Sequence, residues 1–492
     1  MKIDPRRALA ALWYGAALAS LFFMPLIQAL QTGIVYLFWQ GRDTAELAIA
    51  FAGLTLLFGA AWYALDRAAG APRLQVAGLT LLGAIPLASF GTIILRQLVD
   101  VSSARTIPPV VLLMLAIVLG TIGLATVVSI PALSLRALRG TALLLSPVTL
   151  IMLAAFVQLA RYPGTPAAYS TPQQATGSDS RDSTARPSVY VFLFDELSYR
   201  FMYQDGAVRR DLPHLRWLSE RATNYHGAQA PGDETAASIP GLLAGRDLSG
   251  VWLSGDEVLE ILPDGKRLPL NLQTRDSLFA RARANGFRTE MVGFYLPYCR
   301  LLSGVADACQ SFSWYNMSAG AETFSPIHAI LTNVGLWPYE WPFGMLKVPV
   351  LCLLERRIVD RTAAAAVVDP RASRRRFRFV HFSVPHHPFV FDRDGYNPPA
   401  DPMQKSAENY ERQLRYVDTL AGMLIDRLEQ ADVFDGSTLV VMSDHEFRWA
   451  QLVEADKAHI PLIIKRPGQR SREDVTEPVK ANAVLEQLVA GR

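Results

Sequence analysis

The sequence predicts a helical membrane domain followed by an α/β domain, and three observations lead to this fold class. Long apolar stretches are confined to the first third of the chain. Apolar strands alternate with amphipathic stretches from about residue 188 to about residue 468, and a segment rich in Ser, Thr, Gln, Pro and Gly separates the two regions. We therefore expect four parts, namely a transmembrane domain over residues 1–160, a flexible tether over 161–187, an α/β domain over 188–470 and a C-terminal tail over 471–492.

Five stretches of the first third are each apolar and long enough to cross a bilayer, which takes about 20 helical residues. They lie near residues 9–30, 48–65, 74–95, 108–129 and 141–160. The first could instead be a signal peptide, but four more follow and its apolar run is longer than a signal h-region. Basic residues precede the first stretch and fill the second and fourth loops, which predicts that these loops are cytoplasmic. The chain is then a multi-pass inner-membrane protein whose α/β domain lies in the periplasm or outside the cell.

The segment from Tyr162 to Pro187 carries too little apolar surface to fold by itself, so it is predicted to be a tether. The strand and helix pattern beyond it is typical of a doubly wound sheet. A net charge of +3 is nearly neutral and gives no indication of a nucleic-acid partner. Cys299 and Cys309 could form a disulfide in an oxidising compartment, with Cys352 left over, or all three could be buried thiols.

Acidic and imidazole side chains follow two of the apolar runs. Asp195 follows the run Val189 to Phe194, and Asp444 with His445 follows the run Leu439 to Met442. Open α/β sheets bind ligands at the carboxyl ends of their strands, so these side chains are expected to meet there.

A hydroxyl group between these side chains would complete one metal-centred nucleophile. The segment Thr235–Pro240 supplies hydroxyl side chains. A divalent cation lowers the pKa of such a hydroxyl, which could then attack phosphorus or sulfur.

Seven short segments occur in a characteristic order between residues 188 and 470. They are Val191–Leu197, Leu212–Leu218, Thr235–Arg246, Val384–Phe389, Tyr416–Asp418, Thr438–His445 and His459–Gly468. In this order they resemble the sulfatase-type catalytic domain of the alkaline phosphatase superfamily. The resemblance implies an α/β/α sandwich.

The resemblance also selects the nucleophile. In this superfamily it stands ten positions before the glycine that ends the next helical segment, and counting back from Gly245 leads to Thr235. A threonine cannot form the formylglycine that main-type sulfatases make from Cys or Ser. Ser238, two positions before Pro240, looks like such a precursor, but Leu242 stands where an arginine is needed. Ser238 is therefore interpreted as structural.

Two-metal members of the superfamily bind a second cation through an Asp and a His four residues later. Four residues after Asp418 stands Gly422, so one divalent ion is expected. The residues implied to bind it are Asp195, Thr235, Asp444 and His445. Carboxylate, alkoxide and imidazole ligands suit Mn²⁺ or Zn²⁺, and suit Mg²⁺ less well.

Four residues are implied to contact the substrate. His386, in a His-x-Pro frame, should face the transferred group, and His459 should lie nearby, unless it satisfies a buried backbone group. Glu446 replaces the glycine usual after Asp-His, and Glu196 doubles the first acid. Each of these acids could be a ligand, an acceptor-binding group or a base.

Three other features are interpreted as structural. They are His226, His381 and the basic run from Arg371 to Arg378, for which binding of an anionic head group is the alternative.

The architecture is similar to the single-metal, threonine-nucleophile branch of the superfamily. This branch includes lipoteichoic acid synthases, phosphoglycerol transferases and lipid A phosphoethanolamine transferases. The resemblance implies a membrane-bound phosphotransferase that moves a phospho-alcohol head group from a phospholipid donor to a glycan or lipid acceptor through a phospho-threonine. A hydrolase, in which water resolves the intermediate, and a degenerate assembly protein blocked by Glu446 are the alternatives.

Overall fold

A computed structural model describes eleven segments of the chain. They are residues 4–23, 41–67, 72–83, 128–161, 168–170, 187–254, 257–274, 276–312, 344–366, 375–448 and 458–490. The chain divides into two compact units. The first comprises Met1–Gly164 with Gly320–Lys347, and the second comprises Thr165–Ala319 with Val348–Arg492.

The described part of the first unit is helical. Its helices are Pro5–Phe22, Gly41–Arg67, residues 72–83, Pro131–Leu145 and Pro147–Arg161. The first two helices cross closely at glycines, since a Cβ added to Gly15 would lie 2.5 Å from the backbone N of Gly59. Phe51 packs edge-on against Phe23 and Phe156, with ring centroids 5.7 Å and 5.3 Å apart.

The described helices can be compared with two of the five predicted membrane spans. Among the described residues, one helical stretch, Leu47–Arg67, has the length and mean hydropathy (1.8) to cross a bilayer. The predicted span over 141–160 is divided into two helices, because Pro147 has no N–H to continue the hydrogen-bond ladder of the helix that ends at Leu145. The other three predicted spans fall partly or mostly outside the described residues, so the number of spans stays a prediction.

The second unit contains the strands. In chain order they are β1 (Ala168–Ser170), β2 (Val189–Phe194), β3 (Tyr203–Gln204), β4 (Ala207–Val208), β5 (Thr223–Tyr225), β6 (Ala228–Gln229), β7 (Gly250–Ser254), β8 (Glu257–Ile261), β9 (Arg267–Pro269), β10 (Arg288–Phe294), β11 (Ala308–Phe312), β12 (Arg376–Phe382), β13 (Phe391–Asp392), β14 (Gly395–Tyr396), β15 (Thr438–Ser443), β16 (Leu462–Lys465), β17 (Glu473–Val475) and β18 (Val479–Lys480). The helices after residue 187 are Tyr199–Met202, Pro213–Ser219, Thr235–Ala244, Leu278–Ala284, Tyr298–Leu301, Gly344–Ala365, Ala407–Gln430 and Ala481–Ala490.

A mixed sheet organises this unit. Its nine strands run in the order β1-β11-β10-β12-β2-β15-β16-β5-β17. The five from β11 to β15 are parallel to one another, whereas β16 is antiparallel to β15. All six residues of β2 and of β15 are buried, as expected for central strands covered on both faces.

Alternate residues of β2 belong to two separate hydrophobic clusters. Tyr190, Phe192 and Phe194 pack with residues of the helices Pro213–Ser219 and Ala407–Gln430. The intervening residues pack with the helices Thr235–Ala244, Leu278–Ala284 and Ala481–Ala490. This alternation confirms the predicted α/β sandwich for the second unit.

Two predicted boundaries need correction. The C-terminal tail over 471–492 is wrong, because β17 pairs with β5 and Leu485 of the last helix is fully buried in the core. Part of the predicted tether is a strand, since β1 pairs with β11 at the sheet edge, while 171–186 lie outside the described residues. Of the two alternatives that the sequence left open for the cysteines, the structure has the disulfide between Cys299 and Cys309, and Cys352 is a buried free thiol.

Candidate active site and metal centre

The chain turns sharply at the end of β2. Asp195 N–H donates to Phe382 O at 3.0 Å, and the next residue, Glu196, adopts a left-handed conformation (φ +60°). This turn directs the Glu196 N–H at Asp444 Oδ1, 3.0 Å away. Asp195 and Glu196 are both buried, so two carboxyl groups are held inside the protein at one strand end.

The end of the neighbouring strand β15 supplies two more buried groups. Asp444 Oδ1 also accepts from the His445 N–H at 2.9 Å. His445 Nδ1 lies 2.9 Å from Glu446 O, which leaves Nε2 to face the centre. Ser238 Oγ donates to Asp444 O at 2.6 Å, so Ser238 holds this turn in place, in agreement with its predicted structural role.

Thr235 is the first residue of the helix Thr235–Ala244. Its Oγ1 lies 3.1 Å from His445 Nε2 and 3.4 Å from Asp195 Oδ1. The four residues predicted to bind a metal are thus brought together, although they come from two strand ends and a helix. The positive end of the helix dipole favours negative charge on this hydroxyl.

His381, interpreted from the sequence as structural, belongs to the same cluster. It lies on β12, its Nδ1 is 2.6 Å from Tyr298 Oη, and its Nε2 is 3.8 Å from Asp195 Oδ2. Ligating atoms of Asp195, His381 and Asp444 all lie within 4.8 Å of one another. A histidine within a buried strand gives no pattern signal, and its partner Tyr298 is distant in sequence.

The electrostatics of this cluster favour a bound cation. Burial and the neighbouring charges of Asp444 and Glu196 raise the pKa of Asp195 well above its usual value. Burial lowers the pKa of His381 to about 4, so its imidazole is neutral at physiological pH. A divalent cation would offset the repulsion between the carboxylates and use the lone pair of the imidazole.

The residues fit such an ion. Asp444 Oδ2 and His381 Nε2 are buried and have no hydrogen-bond partner within the described residues. Buried polar atoms are normally satisfied, so two of them aimed into one cluster indicate an absent partner. Carboxylate oxygens together with imidazole nitrogens are the donors that Zn²⁺ and Mn²⁺ accept.

Asp418 and Gly422, which the sequence analysis considered for a second cation, lie in the helix Ala407–Gln430 and take part in packing. Asp418 Oδ1 accepts the N–H of Leu215 at 2.8 Å. A Cβ added to Gly422 would lie 2.5 Å from His214 Nδ1. A larger residue at 422 would displace the His214 ring, and the number of cations stays a prediction.

Glu196 and His386 meet beside the first cluster, together with two residues that the sequence did not single out. Ligating atoms of Glu196, His386 and His387 lie within 4.8 Å of one another. Arg448 Nε is 3.1 Å from Glu196 Oε1. Arg448 is also 3.7 Å from Glu234, the residue before Thr235.

Glu446 and His459 are tied to the backbone. Glu446 accepts the N–H groups of Tyr199 and Phe447, at 3.0 Å and 3.2 Å, and burial raises its pKa to about 7. His459 Nε2 lies 2.8 Å from His226 O, and its ring packs on Tyr199 with centroids 4.3 Å apart. The structure thus favours the alternative in which His459 satisfies a buried backbone group.

His226 is structural as predicted. Its Nδ1 lies 2.7 Å from Tyr199 Oη and its Nε2 lies 2.9 Å from Asp474 Oδ1.

Three comparisons with known proteins bear on the family. No curated protein sequence matches the chain. Among solved structures, the phosphonate monoester hydrolase SpPMH from Silicibacter pomeroyi is 16% identical, with coverage of 62% of this chain and 73% of that chain and a TM-score of 0.41. The lipoteichoic acid synthase LtaP from Listeria monocytogenes is 15% identical, with coverage of 62% and 72% and a TM-score of 0.36.

The family model described as Sulfatase matches residues 187–490, which is more than half of the chain. This match includes both strand ends, Thr235 and the last helix. The chain therefore belongs to the sulfatase family, within the alkaline phosphatase superfamily.

Proposed function

We propose that this protein is a membrane-bound phosphotransferase that moves a phospho-alcohol head group, phosphoethanolamine or phosphoglycerol, from a phospholipid to a glycan or lipid acceptor. The observation that carries the proposal is the position of Thr235. Its hydroxyl lies 3.1 Å from His445 Nε2 and 3.4 Å from Asp195 Oδ1, beside Asp444, whose buried Oδ2 has no hydrogen-bond partner in the described residues. A threonine at this place cannot be converted to formylglycine, so it would act as the nucleophile itself.

Asp195, Asp444, His445 and the Thr235 hydroxyl would bind one divalent cation, Zn²⁺ or Mn²⁺, and His381 would complete the set. When bound, the cation lowers the pKa of the hydroxyl and neutralises charge on a phosphoryl oxygen. The proposal takes the membrane topology from the sequence prediction, which places the catalytic domain on the periplasmic or outer side of the inner membrane.

The proposed reaction consists of two half-reactions at Thr235. In the first, Thr235 Oγ forms a bond to phosphorus, the bond from phosphorus to the diacylglycerol oxygen breaks, and diacylglycerol leaves with a proton. In the second, an acceptor hydroxyl attacks the phospho-threonine and Thr235 regains its proton. Asp444 and Ser238 keep the two strand ends and the helix in register throughout, through the hydrogen bonds described above.

His386 is proposed to face the transferred group. Its Nδ1 lies 2.5 Å from His387 O and must carry a proton to donate to that carbonyl. Burial lowers the pKa of His386 to about 3, so the ring is neutral and Nε2 presents a lone pair. His386 therefore cannot donate a hydrogen bond from Nε2 to a phosphoryl oxygen at neutral pH.

Product analysis tests the proposal. The purified full-length protein would be incubated with phospholipid and Mn²⁺ or Zn²⁺, with and without an acceptor glycolipid, and the lipids separated by mass. A transferase releases diacylglycerol in step with acceptor modification. Release of free phospho-alcohol at the same rate without acceptor would instead identify a hydrolase, and no cleavage with either metal would contradict both.

A further inference from the structure

A polar cavity lies outside the cluster of buried carboxylates described above. Its volume is about 900 Å³, within the range of cavities that bind small molecules. Its walls are the helix Tyr199–Met202, the hairpin β3–β4, the segment that leads into the helix Pro213–Ser219, and one side chain of the helix Ala407–Gln430. Four arginines and three carboxylates line it, namely Arg200, Arg209, Arg210, Arg216, Asp205, Asp211 and Glu411.

Two of these carboxylates are neutralised by protein groups. Arg209 donates two hydrogen bonds to Asp211, of 3.0 Å and 2.8 Å, and lies 3.5 Å from Glu411. Arg415 lies 3.3 Å from Asp211 and 3.4 Å from Glu411. Two arginines thus face two carboxylates, and this part of the wall does not repel an anion.

Two of the lining arginines have no such partner. Arg200 and Arg210 form no hydrogen bond or ion pair with the described residues, whereas Arg216 pairs with Glu220 at 3.1 Å. Asp205 is the one lining carboxylate without a basic partner in the described part of the chain, so two positive charges and one negative charge are left unpaired. Arg200 and Arg210 are both exposed to solvent, so a ligand can reach them directly.

The walls of the cavity are held in place without a ligand. Asp205 and Gly206 both adopt left-handed conformations (φ +52° and +74°), as in the tight two-residue turn of a hairpin. The Arg209 N–H donates to Met202 O at 3.0 Å, and Arg209 Nη1 donates to Phe201 O at 3.2 Å, so the base of the hairpin is fixed as well. A preformed site loses less conformational freedom on binding than one that must first be ordered.

The chemistry of the lining indicates a ligand with a phosphate group. A guanidinium donates parallel hydrogen bonds to phosphate or carboxylate oxygens, and two unpaired arginines match the double charge of a phosphate monoester. The cavity is much larger than a phosphate ion, so it has room for an attached organic group. Phe201 supplies an apolar wall for that group, and its ring packs on Tyr410 and Phe447 with centroids 4.9 Å and 6.1 Å apart.

We propose that this cavity binds a phosphate monoester, with Arg200 and Arg210 contacting the phosphate and Phe201 contacting the organic group. The cavity shares no lining residue with the cluster around Thr235. It borders that cluster through Tyr199, the residue before Arg200, whose N–H donates to Glu446 at 3.0 Å. The inference does not depend on the proposed function, because binding is measured without turnover.

The test is isothermal titration calorimetry of the chelator-treated, full-length protein with glycerol phosphate. Without its cation the carboxylate cluster repels phosphate, so the titration reports on the cavity. Arg200→Gln combined with Arg210→Gln should raise Kd by about tenfold or more, because each change removes a charge-assisted contact. Arg200→Lys combined with Arg210→Lys keeps the charge but not the paired hydrogen bonds, and should show a smaller rise in Kd.

Arg470→Gln is the matched control, because Arg470 is an exposed arginine of the same unit that does not line the cavity. It should bind glycerol phosphate like the parent protein. A parallel titration with short-chain phosphatidic acid distinguishes the two sources of the phosphate, since tighter binding of this lipid indicates a lipid head group and tighter binding of glycerol phosphate indicates a soluble ester.

Thermal unfolding checks that the double glutamine variant is folded, which is expected because both side chains are exposed. Failure of the parent protein to bind either probe would overturn the proposal. An unchanged Kd in the folded double variant, for the probe that the parent binds, would overturn it as well.

Discussion

Buried charge is arranged in opposite ways at the two ends of the central strands. Near the amino ends of β10 and β12, Glu290 is surrounded by three arginines. At the carboxyl ends of β2 and β15, carboxylates lie close to one another. Among the described residues, Arg448 is the one arginine that forms an ion pair with them. The sheet is continuous between the two ends, so the difference comes from the side chains alone.

At the amino end, both oxygens of the Glu290 carboxylate have partners. Glu290 Oε1 accepts from Arg288 at 3.0 Å, and Oε2 accepts from Arg378 at 2.7 Å. Arg376 reaches both oxygens, at 3.0 Å and 3.2 Å. Part of the basic run noted in the sequence, Arg376 and Arg378, thus lies within strand β12 and stabilises the sheet.

The carboxyl-end cluster, by contrast, contains buried polar atoms without hydrogen-bond partners. Asp444 Oδ2, Glu196 Oε2 and His381 Nε2 are buried without a partner in the described segments. The buried carboxylate at the amino end of the sheet has all its hydrogen-bond partners, whereas three buried atoms at the carboxyl end have none. These three atoms are therefore the ones expected to bind a ligand. Substitutions at the amino end should therefore affect stability, and substitutions at the carboxyl end should affect metal binding and turnover.

The largest expected effect follows from Thr235→Ala. Removal of the nucleophile should lower kcat by about 10⁴-fold or more while the fold and metal content persist. Ser238→Ala is the matched control in the same helix and should retain most activity, because its hydroxyl contacts only the Asp444 carbonyl. Lipid cleavage rates for the two variants decide this, and an active Thr235→Ala beside an inactive Ser238→Ala would reverse the assignment.

Glu290→Gln should have the largest effect on stability. Breaking this buried ion cluster leaves three largely buried arginines facing one another, at a cost of about 3–5 kcal/mol. Chemical denaturation measures that loss, and Zn²⁺ binding by the folded fraction should be unchanged. A change in metal affinity would show that the two ends of the sheet are coupled.

Asp444→Asn should separate metal binding from stability. The metal-free variant should still fold, because the amide oxygen of Asn can accept the N–H groups of Glu196 and His445 that Asp444 Oδ1 accepts. The parent should gain about 2.7 kcal/mol when free metal exceeds Kd 100-fold, and the variant should lose that gain from the first site. Thermal unfolding with and without Zn²⁺ provides the measurement, and an undiminished metal-dependent gain would argue against Asp444 as a ligand.

Glu446→Gln should change the pH dependence of stability. Burial raises the pKa of Glu446 from 4.5 to about 7 in the folded protein, so between these values the folded state holds a proton that the unfolded state releases. Stability from this group is full below pH 4.5 and is lost as the pH rises through 7, a loss of roughly 2–3 kcal/mol. The variant should lack this fall, and exposed Glu220→Gln should keep it.

The place of the candidate site was predictable, because three of its residues follow apolar runs that form central strands. Asp195, Asp444 and His445 stand at the ends of such runs, and the resemblance to the superfamily, applied to the distance from Gly245, selected Thr235. His381 was not predictable, because it lies inside a strand and its role depends on Tyr298 from another segment. Arg448 was missed because an isolated arginine outside a strand carries no periodic signal, and His387 was noted from the sequence only as part of the segment Val384–Phe389.

The fold was predictable where the hydrophobic periodicity and the length of a segment indicate the same element. The prediction failed at the C-terminus. The helix Ala481–Ala490 has ten residues, and its burial depends on contacts with the helix Leu278–Ala284 and the cluster around Leu242. Short edge strands such as β17 are too short for an alternation of apolar and polar residues to be recognised in the sequence. The break at Pro147 could have been read from the sequence, but the apolar run that contains it obscured it.

The most direct test of the central claim is mass spectrometry of the protein quenched during turnover of a phospholipid. We expect one peptide, the one that contains Thr235, to gain the mass of the phospho-alcohol group, with fragmentation placing that mass on Thr235 and none in Asp444→Asn. An unmodified Thr235 peptide during active turnover, or formylglycine or the added group at Ser238, would contradict the account.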